Sequence, residues 1–396
     1  MLFKKEELKL LWPFYLYYFI YGLSAMILPF MIIYFRDLNF SFFQISIITS
    51  AFAISMFLFE IPTGALADGL SRKYSVVLGF LITALMAILI PLFTNFYILI
   101  LLWFITGLGM AFVSGAEEAW VIDNLNKYKR KDLHHEFFIK SQSVASFGII
   151  FAPLIGSVLV KVHSIKLLWF VFGFGFLLNA LLLLFFGKEL YKPKKIKFIE
   201  SFRKTYDNSK VGLKFSRTHK TVFLLILGSI FVSLMIVGDN GWQPFILDLS
   251  MPTYTLGFMY SILAVFMIAS SFSSRLLTNL KIKNVISITI FIRMLLLLSL
   301  LLINPPLYII AAIIFVLIHS SSGLNEPLLQ TYFHKFVPQK IRATVTSVQS
   351  MSKQLIVALS ALVAGGLLDI FGPKKVLAYG GLFGIFAIIF YMKIKD

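Results

Sequence analysis

The side chains with the most chemical potential in this 396-residue chain are the few ionisable ones set inside long apolar runs. Asp239 comes first, in Gly238-Asp239-Asn240-Gly241-Trp242-Gln243-Pro244. Two glycines and a proline predict an interrupted helix, a geometry that turns backbone polar groups toward a cavity. A carboxylate there can carry a proton or anchor a cationic ligand; alternatively it caps a helix or closes an outer gate. Continuous helical spacing places Glu118 on one face with Ser114 and Ala111, and Glu326 on one face with Ser322 and His319. Such faces suit a polar cavity wall or one half of a gate salt bridge. Glu117, about 100° round the helix from Glu118, is expected to pack against a neighbouring helix. Lys353 is expected to pair with Glu326 or Glu118 or to meet a ligand, and Arg293 to tie its helix to a neighbour. His319 has an ordinary pKa near neutrality, so it can relay protons or simply fill a packing position. Trp242 and Tyr21 are candidate walls for a pocket that takes flat lipophilic compounds.

Membrane-spanning helices must position these groups. The chain is 59% hydrophobic and 14% charged, with a mean hydropathy of +0.89. Soluble domains carry about 25% charged residues, so this chain lacks the polar surface to cover itself in water. Disorder, a disulfide scaffold and a secreted enzyme are excluded. There is no cysteine, which closes off disulfides, zinc thiolates and thiol catalysis. Lys4, Lys5 and Lys9 precede an apolar stretch too long for a signal peptide, so it is expected to be retained as the first span. Apolar runs predict twelve helices, starting near Leu11, Phe42, Tyr74, Phe96, Glu136, Ile165, Thr221, Tyr254, Val285, Pro306, Arg342 and Lys375. An ionisable group inside such a span costs about 2.5–3.5 kcal/mol on insertion scales, so each is a functional candidate.

The net charge of +18 is explained by position. Of 36 Lys and Arg, 28 fall in the termini and even-numbered connectors. The odd-numbered connectors hold five, namely Arg36, Lys161, Lys166, Lys374 and Lys375. Positive connectors stay inside, which predicts cytoplasmic termini and needs no nucleic-acid partner. The most basic connector divides the chain into a first six-helix bundle (1–187), a cytoplasmic linker (188–220) and a second six-helix bundle (221–396). Within the linker, Phe198, Ile199, Phe202 and Tyr206 alternate with Lys197, Arg203 and Lys204, as in a helix lying on the inner leaflet or a solvated tether.

An internal repeat relates the halves. Ser114-Gly115-Ala-Glu-Glu118 recurs as Ser322-Gly323-Leu-Asn-Glu326, Ser141-Gln142-Ser143-Val144 aligns with Val348-Gln349-Ser350, and Gly156 aligns with Gly365. Pro29 and Pro244 sit late in the first and seventh spans. Two related six-span halves describe a transporter that alternates access about a midplane site.

The connector after the second span reads Gly64-Ala-Leu-Ala-Asp68-Gly69-Leu70-Ser71-Arg72-Lys73. It resembles the signature loop of the major facilitator superfamily, Gly-x-x-x-Asp-Arg-x-Gly-Arg-Arg/Lys, departing from it at Gly69 and Ser71. The resemblance implies an all-α fold of twelve transmembrane helices in two pseudo-symmetric bundles. It also implies a conformational latch in which Asp68 sits at a helix N-terminus and meets Arg72, with Lys73 beside it, Asp123 joining the cluster and Gly64 permitting close helix approach. In the fifth span, Gly148-Ile-Ile-Phe-Ala152-Pro153-Leu-Ile-Gly156-Ser157 is similar to the Gly-x-x-x-Gly-Pro-x-x-Gly-Gly element of the superfamily's drug–proton antiporters, with Ala152 and Ser157 in place of glycines. Glu60-Ile-Pro-Thr-Gly64 and Ser114 through Asp123 look like segments of bacterial and archaeal drug-efflux members.

The expectation is therefore a monomeric multidrug exporter in a prokaryotic plasma membrane, surrounded by lipid, exchanging protons for lipophilic or cationic small molecules. Its energy source is the proton gradient, and no cofactor is expected. Proton-linked uptake of a sugar, organic acid or peptide is the alternative, favoured by Lys353 and Arg293 if the substrate is anionic; a lipid flippase or an enzyme of lipid-linked sugars is a third. The chain has no phosphate-binding Gly-x-x-x-x-Gly-Lys-Ser/Thr loop and no His-Glu-x-x-His or Gly-x-Ser-x-Gly, so neither ATP drive nor enzymatic hydrolysis is expected. His134-His135 has no further ligand nearby in sequence, and no metal site is expected.

Overall fold

The computed structural model describes residues 3–69, 71–190, 210, 212–277, 279–338 and 342–394. The side chains at 61, 68, 334, 342–344, 347, 348 and 350–355 lie outside that description. Eleven described helices are long and apolar enough to cross a membrane, from Lys5–Asp37 to Pro373–Met392. Helix Arg342–Phe371, with its apolar stretch Ile356–Phe371, completes the twelve. The amphipathic part of the linker lies outside the described residues.

The first helix begins at Lys5, well before the apolar run, because its N-terminus is capped: the Lys4 amide donates to Glu7 Oε2 at 3.3 Å. Three spans are interrupted where the sequence removes helix support. The first breaks at Ala25–Ile27, just before Pro29, and resumes at Met31–Asp37. The fourth breaks between Phe96–Val113 and Ala116–Lys127, where Gly115 adopts φ +73°, a conformation that only glycine takes without strain. The seventh breaks between Lys220–Leu234 and Trp242–Asp248, with a short 3-10 turn over Asp239–Gly241. The repeat is thus unequal: at Gly323 the tenth span runs unbroken through Tyr308–Phe336.

The chain forms two compact units, Met1–Met31 with Ala51–Lys204, and Ile32–Ser50 with Thr205–Asp396. In the first, the opening span crosses the fifth with backbones nearly touching: a β-carbon on Gly148 would lie 2.7 Å from the Leu23 nitrogen and 2.8 Å from the Gly22 α-carbon. Glu7, only 1% exposed, is held by Lys140 at 2.7 and 3.0 Å and by the Tyr15 hydroxyl at 2.6 Å. Lys140→Ala would leave that carboxylate buried and uncompensated, and is expected to cost about 3 kcal/mol, read as a lowered melting temperature in detergent.

The second unit includes residues 32–50, which the simple halving at the linker assigns to the first bundle. The reason lies in the contacts of the second span's N-terminus. Asp369 accepts from the Phe42 amide at 2.8 Å and the Phe43 amide at 2.9 Å, capping the helix. Gly365 lets the helices meet closely, since a β-carbon there would fall 2.7 Å from the Phe42 carbonyl.

Candidate functional site

In the second unit, the break in the seventh span is built locally. Gly238 and Gly241 pack with no β-carbon against Val376 and Leu368, and Pro244 occupies the first turn of the following helix, where a missing N–H leaves no bond unmade. Asp239 is thereby held at the joint, its side chain 47% exposed, with Oδ1 2.9 Å from His319 Nε2. The other imidazole nitrogen, Nδ1, lies 2.9 Å from the Phe315 carbonyl. A carbonyl oxygen only accepts, so Nδ1 must carry its hydrogen. The Nε2–Asp239 contact then needs one further proton, either on the imidazole or on the carboxyl.

Its surroundings are specific. The Trp242 and Phe315 rings centre 6.0 and 4.2 Å from His319 and fix its plane. Gln243 Nε2 donates to the Tyr260 hydroxyl at 2.6 Å. Arg293, 3% exposed, has Nε and Nη2 without hydrogen-bond partners among the described residues, and the Asp239 charge reaches it. Trp242 is 1% exposed, so it braces the histidine and does not wall an open pocket as the sequence suggested.

Of the neighbouring pair Glu117 and Glu118 in the first unit, Glu117 is the one held by the first span. Tyr17 donates to its Oε2 at 2.9 Å and Tyr18 donates to Oε1, both from the first span. Glu118 is exposed. The helical face expected for Glu118, Ser114 and Ala111 assumes an unbroken helix, and the turn at Gly115 resets the phase. Glu326, in an unbroken helix, is also exposed and accepts from Gln330 at 3.3 Å. The Lys353 side chain lies outside the described residues.

The signature connector forms a charge cluster at the start of helix Arg72–Leu89. Arg72 Nη1 donates to Asp123 at 2.5 Å and to the Ala119 carbonyl at 2.7 Å. Glu189, which the sequence reading passed over, accepts from the Ser71 hydroxyl and from the Arg72 and Lys73 amides, the last two at 2.7 and 3.2 Å. A carboxylate on a helix N-terminus is favoured by its free N–H groups and its dipole. The Asp68 side chain lies outside the described residues. At Gly64 a β-carbon would meet no atom within 4 Å among the described residues, so the close helix approach expected there is not seen among them. The antiporter-like element lies on the first span: Gly148 faces Gly22, Gly156 faces Met26, and Ala152 and Pro153 are buried.

The described residues are helical, with spans broken where Gly or Pro removes helix support, an architecture that fits a membrane transporter. The chain belongs to the Major Facilitator Superfamily, whose sequence profile matches residues 14–361. It is 23% identical, over 93% of its length and 92% of the relative's, to an uncharacterised transporter of the same type, YxaM of Bacillus subtilis (strain 168). Its fold matches the crystal structure of the nucleoside transporter NupG with a TM-score of 0.78 at 15% identity, covering 99% of this chain and 100% of the other. It also matches a bacterial homologue of the human lysosomal transporter Spinster, inward-facing and occupied, at 0.74 and 16%, covering 98% and 97%.

Proposed function

We propose that this transporter is a proton-coupled exporter of lipophilic cations, with no chemical turnover, and that the Asp239–His319 pair is where proton and substrate exchange. The carrying observation is the fixed Nδ1 donor. When the shared proton leaves, Nε2 and the carboxylate both become bare acceptors 2.9 Å apart. That arrangement repels itself and favours a donor with positive charge, which a protonated amine supplies. Proton and organic cation therefore compete for one place, which is the requirement for antiport. The fifth-span element, with Gly148 against Gly22, supports export by its similarity to drug–proton antiporters. The basic connectors support cytoplasmic termini in a prokaryotic plasma membrane, and the proposal takes the transporter as a monomer driven by the proton gradient without a cofactor.

A second reading is proton-linked uptake of a polar solute. It is favoured by the Gln243 Oε1 atom, which is buried and unpartnered among the described residues and suited to a hydrogen-bonding ligand. The nucleoside transporter among the similar folds adds to it.

Energised inside-out vesicles with a pH-sensitive dye separate the two. Adding a lipophilic cation is expected to release luminal protons, and His319→Gln is expected to abolish the release. Silence with cations, together with proton co-movement on nucleosides or organic acids when the gradient is set for uptake, would replace export by symport.

A further inference from the structure

At the end of the first unit where the N-terminus meets the linker there is a cleft of about 690 Å³, within the roughly 300–1,000 Å³ typical of ligand sites. One wall is aromatic and exposed: Trp12 is 38% exposed, Phe185 72% and Phe186 54%. Trp12 and Phe186 touch, with ring centres 5.2 Å apart. The rim is cationic, with Lys9, Arg130 and Lys188. Arg130 is already committed, donating to Asp132 at 2.9 and 3.0 Å and to Glu6 at 3.1 Å. Its hydrogen bonds hold the Asp132 carboxyl below the usual carboxylate range, and with Glu6 as a second acidic partner the trio uses the whole Arg130 charge on carboxylates. The Lys9 and Lys188 ammonium groups are exposed and have no ion pair among the described residues.

The position of Lys188 is not left to chance. Its carbonyl accepts from Trp120 Nε1 at 2.9 Å and from Asn124 Nδ2 at 2.6 Å, and Asn124 Oδ1 accepts from the Leu190 amide at 3.0 Å. The cleft thus combines two exposed ammonium groups, neither in an ion pair among the described residues, with an exposed aromatic face, and remains cationic after the extra carboxylate of the Arg130 trio is counted. A free anion would use the cations and leave the aromatic face exposed; a neutral lipid would do the reverse.

We propose that this cleft binds one anionic phospholipid, its phosphate on Lys9 and Lys188 and the start of its acyl chains along Trp12, Phe185 and Phe186. The basic rim matches the sign of an anionic leaflet, and each lysine contributes to the attraction. The two lysines together correspond to roughly thirty-fold preference over a zwitterionic lipid.

The tryptophans make the test selective. Of five, Trp103, Trp120, Trp169 and Trp242 are 8% exposed or less, so a contact quencher in the lipid reads Trp12. The full-length protein is reconstituted in bilayers containing dibrominated phosphatidylglycerol or dibrominated phosphatidylcholine, titrated against unlabelled phosphatidylcholine. Stronger quenching by the glycerol lipid is expected at low mole fraction, lost in Trp12→Phe and levelled to that of the choline lipid in Lys9→Gln/Lys188→Gln. Equal quenching by both lipids in the native protein would overturn the proposal, as would a preference that survives the double lysine variant. Loss of the preference with inorganic phosphate, but not with sodium chloride of equal ionic strength, would identify a phosphate site instead and overturn it too.

Discussion

Asp239→Asn is expected to abolish proton release in the vesicle assay and, at the same time, to lower the melting temperature. The first effect follows from the proton count. Nδ1 of His319 is held by the Phe315 carbonyl, so an asparagine at 239 leaves Nε2 facing an amide that cannot exchange the shared proton. The second follows from Arg293. That guanidinium is 3% exposed, and Asp239 supplies compensating charge. Removing one member of a fully buried pair costs 3–5 kcal/mol; because the Asp239 side chain is 47% exposed, about 1–3 kcal/mol is expected here. The two effects separate in a double variant. Asp239→Asn with Arg293→Met is expected to melt near the native temperature and still show no proton release. Additive losses of stability would show that Arg293 does not depend on Asp239. Full coupled exchange in Asp239→Asn would remove this residue from the mechanism.

The second large effect is expected at a glycine. Gly148→Ala would place a methyl 2.7–2.8 Å from backbone atoms of Gly22 and Leu23, which cannot rotate aside. Overpacking of this kind costs about 1–3 kcal/mol, and a valine adds to it. The expected result is a lower melting temperature for Gly148→Ala and little folded material for Gly148→Val, measured by size-exclusion chromatography in detergent. Gly64→Ala sets the opposite sign. Its methyl would meet open space inside helix Phe42–Gly69, so the gain in helix propensity, up to about 1 kcal/mol, is unopposed. Similar losses at both positions would contradict the packing described.

The spans were legible because their apolar runs are long and their breaks carry Gly and Pro. The joint at Asp239 was legible for the same reason, and Arg72 with Asp123 because the resemblance places the arginine in the signature connector and joins to it a carboxylate from the fourth span. Other parts depend on geometry that spacing does not carry. Glu117 and Glu118 exchange importance because Gly115 turns left-handed, and helical periodicity cannot be counted across such a residue. Glu189 is 117 positions from Arg72, so only the return of the sixth span beside the third reveals it as a cap. Gly64 looked like a packing glycine by its place in the connector, yet what crosses a glycine is a property of the neighbour. The membership of residues 32–50 in the second unit shows in the Asp369 cap, the close approach at Gly365 and the Ser50 bond to the Ala358 carbonyl, signals with no pattern in the chain.

The unbroken tenth span and the broken fourth have a consequence for ancestry and for engineering. If the halves descend from one duplicated segment, they have ceased to be interchangeable parts. The fourth span breaks at Gly115, while its counterpart holds Gly323 inside an unbroken helix against the Met267 carbonyl, where even a methyl would collide at 2.4 Å. One copy has become a joint and the other a strut. A tandem of two first halves would therefore carry two joints and no strut. The same asymmetry gives each half its own tolerance: a side chain at 115 meets strain in the backbone, and one at 323 meets a wall.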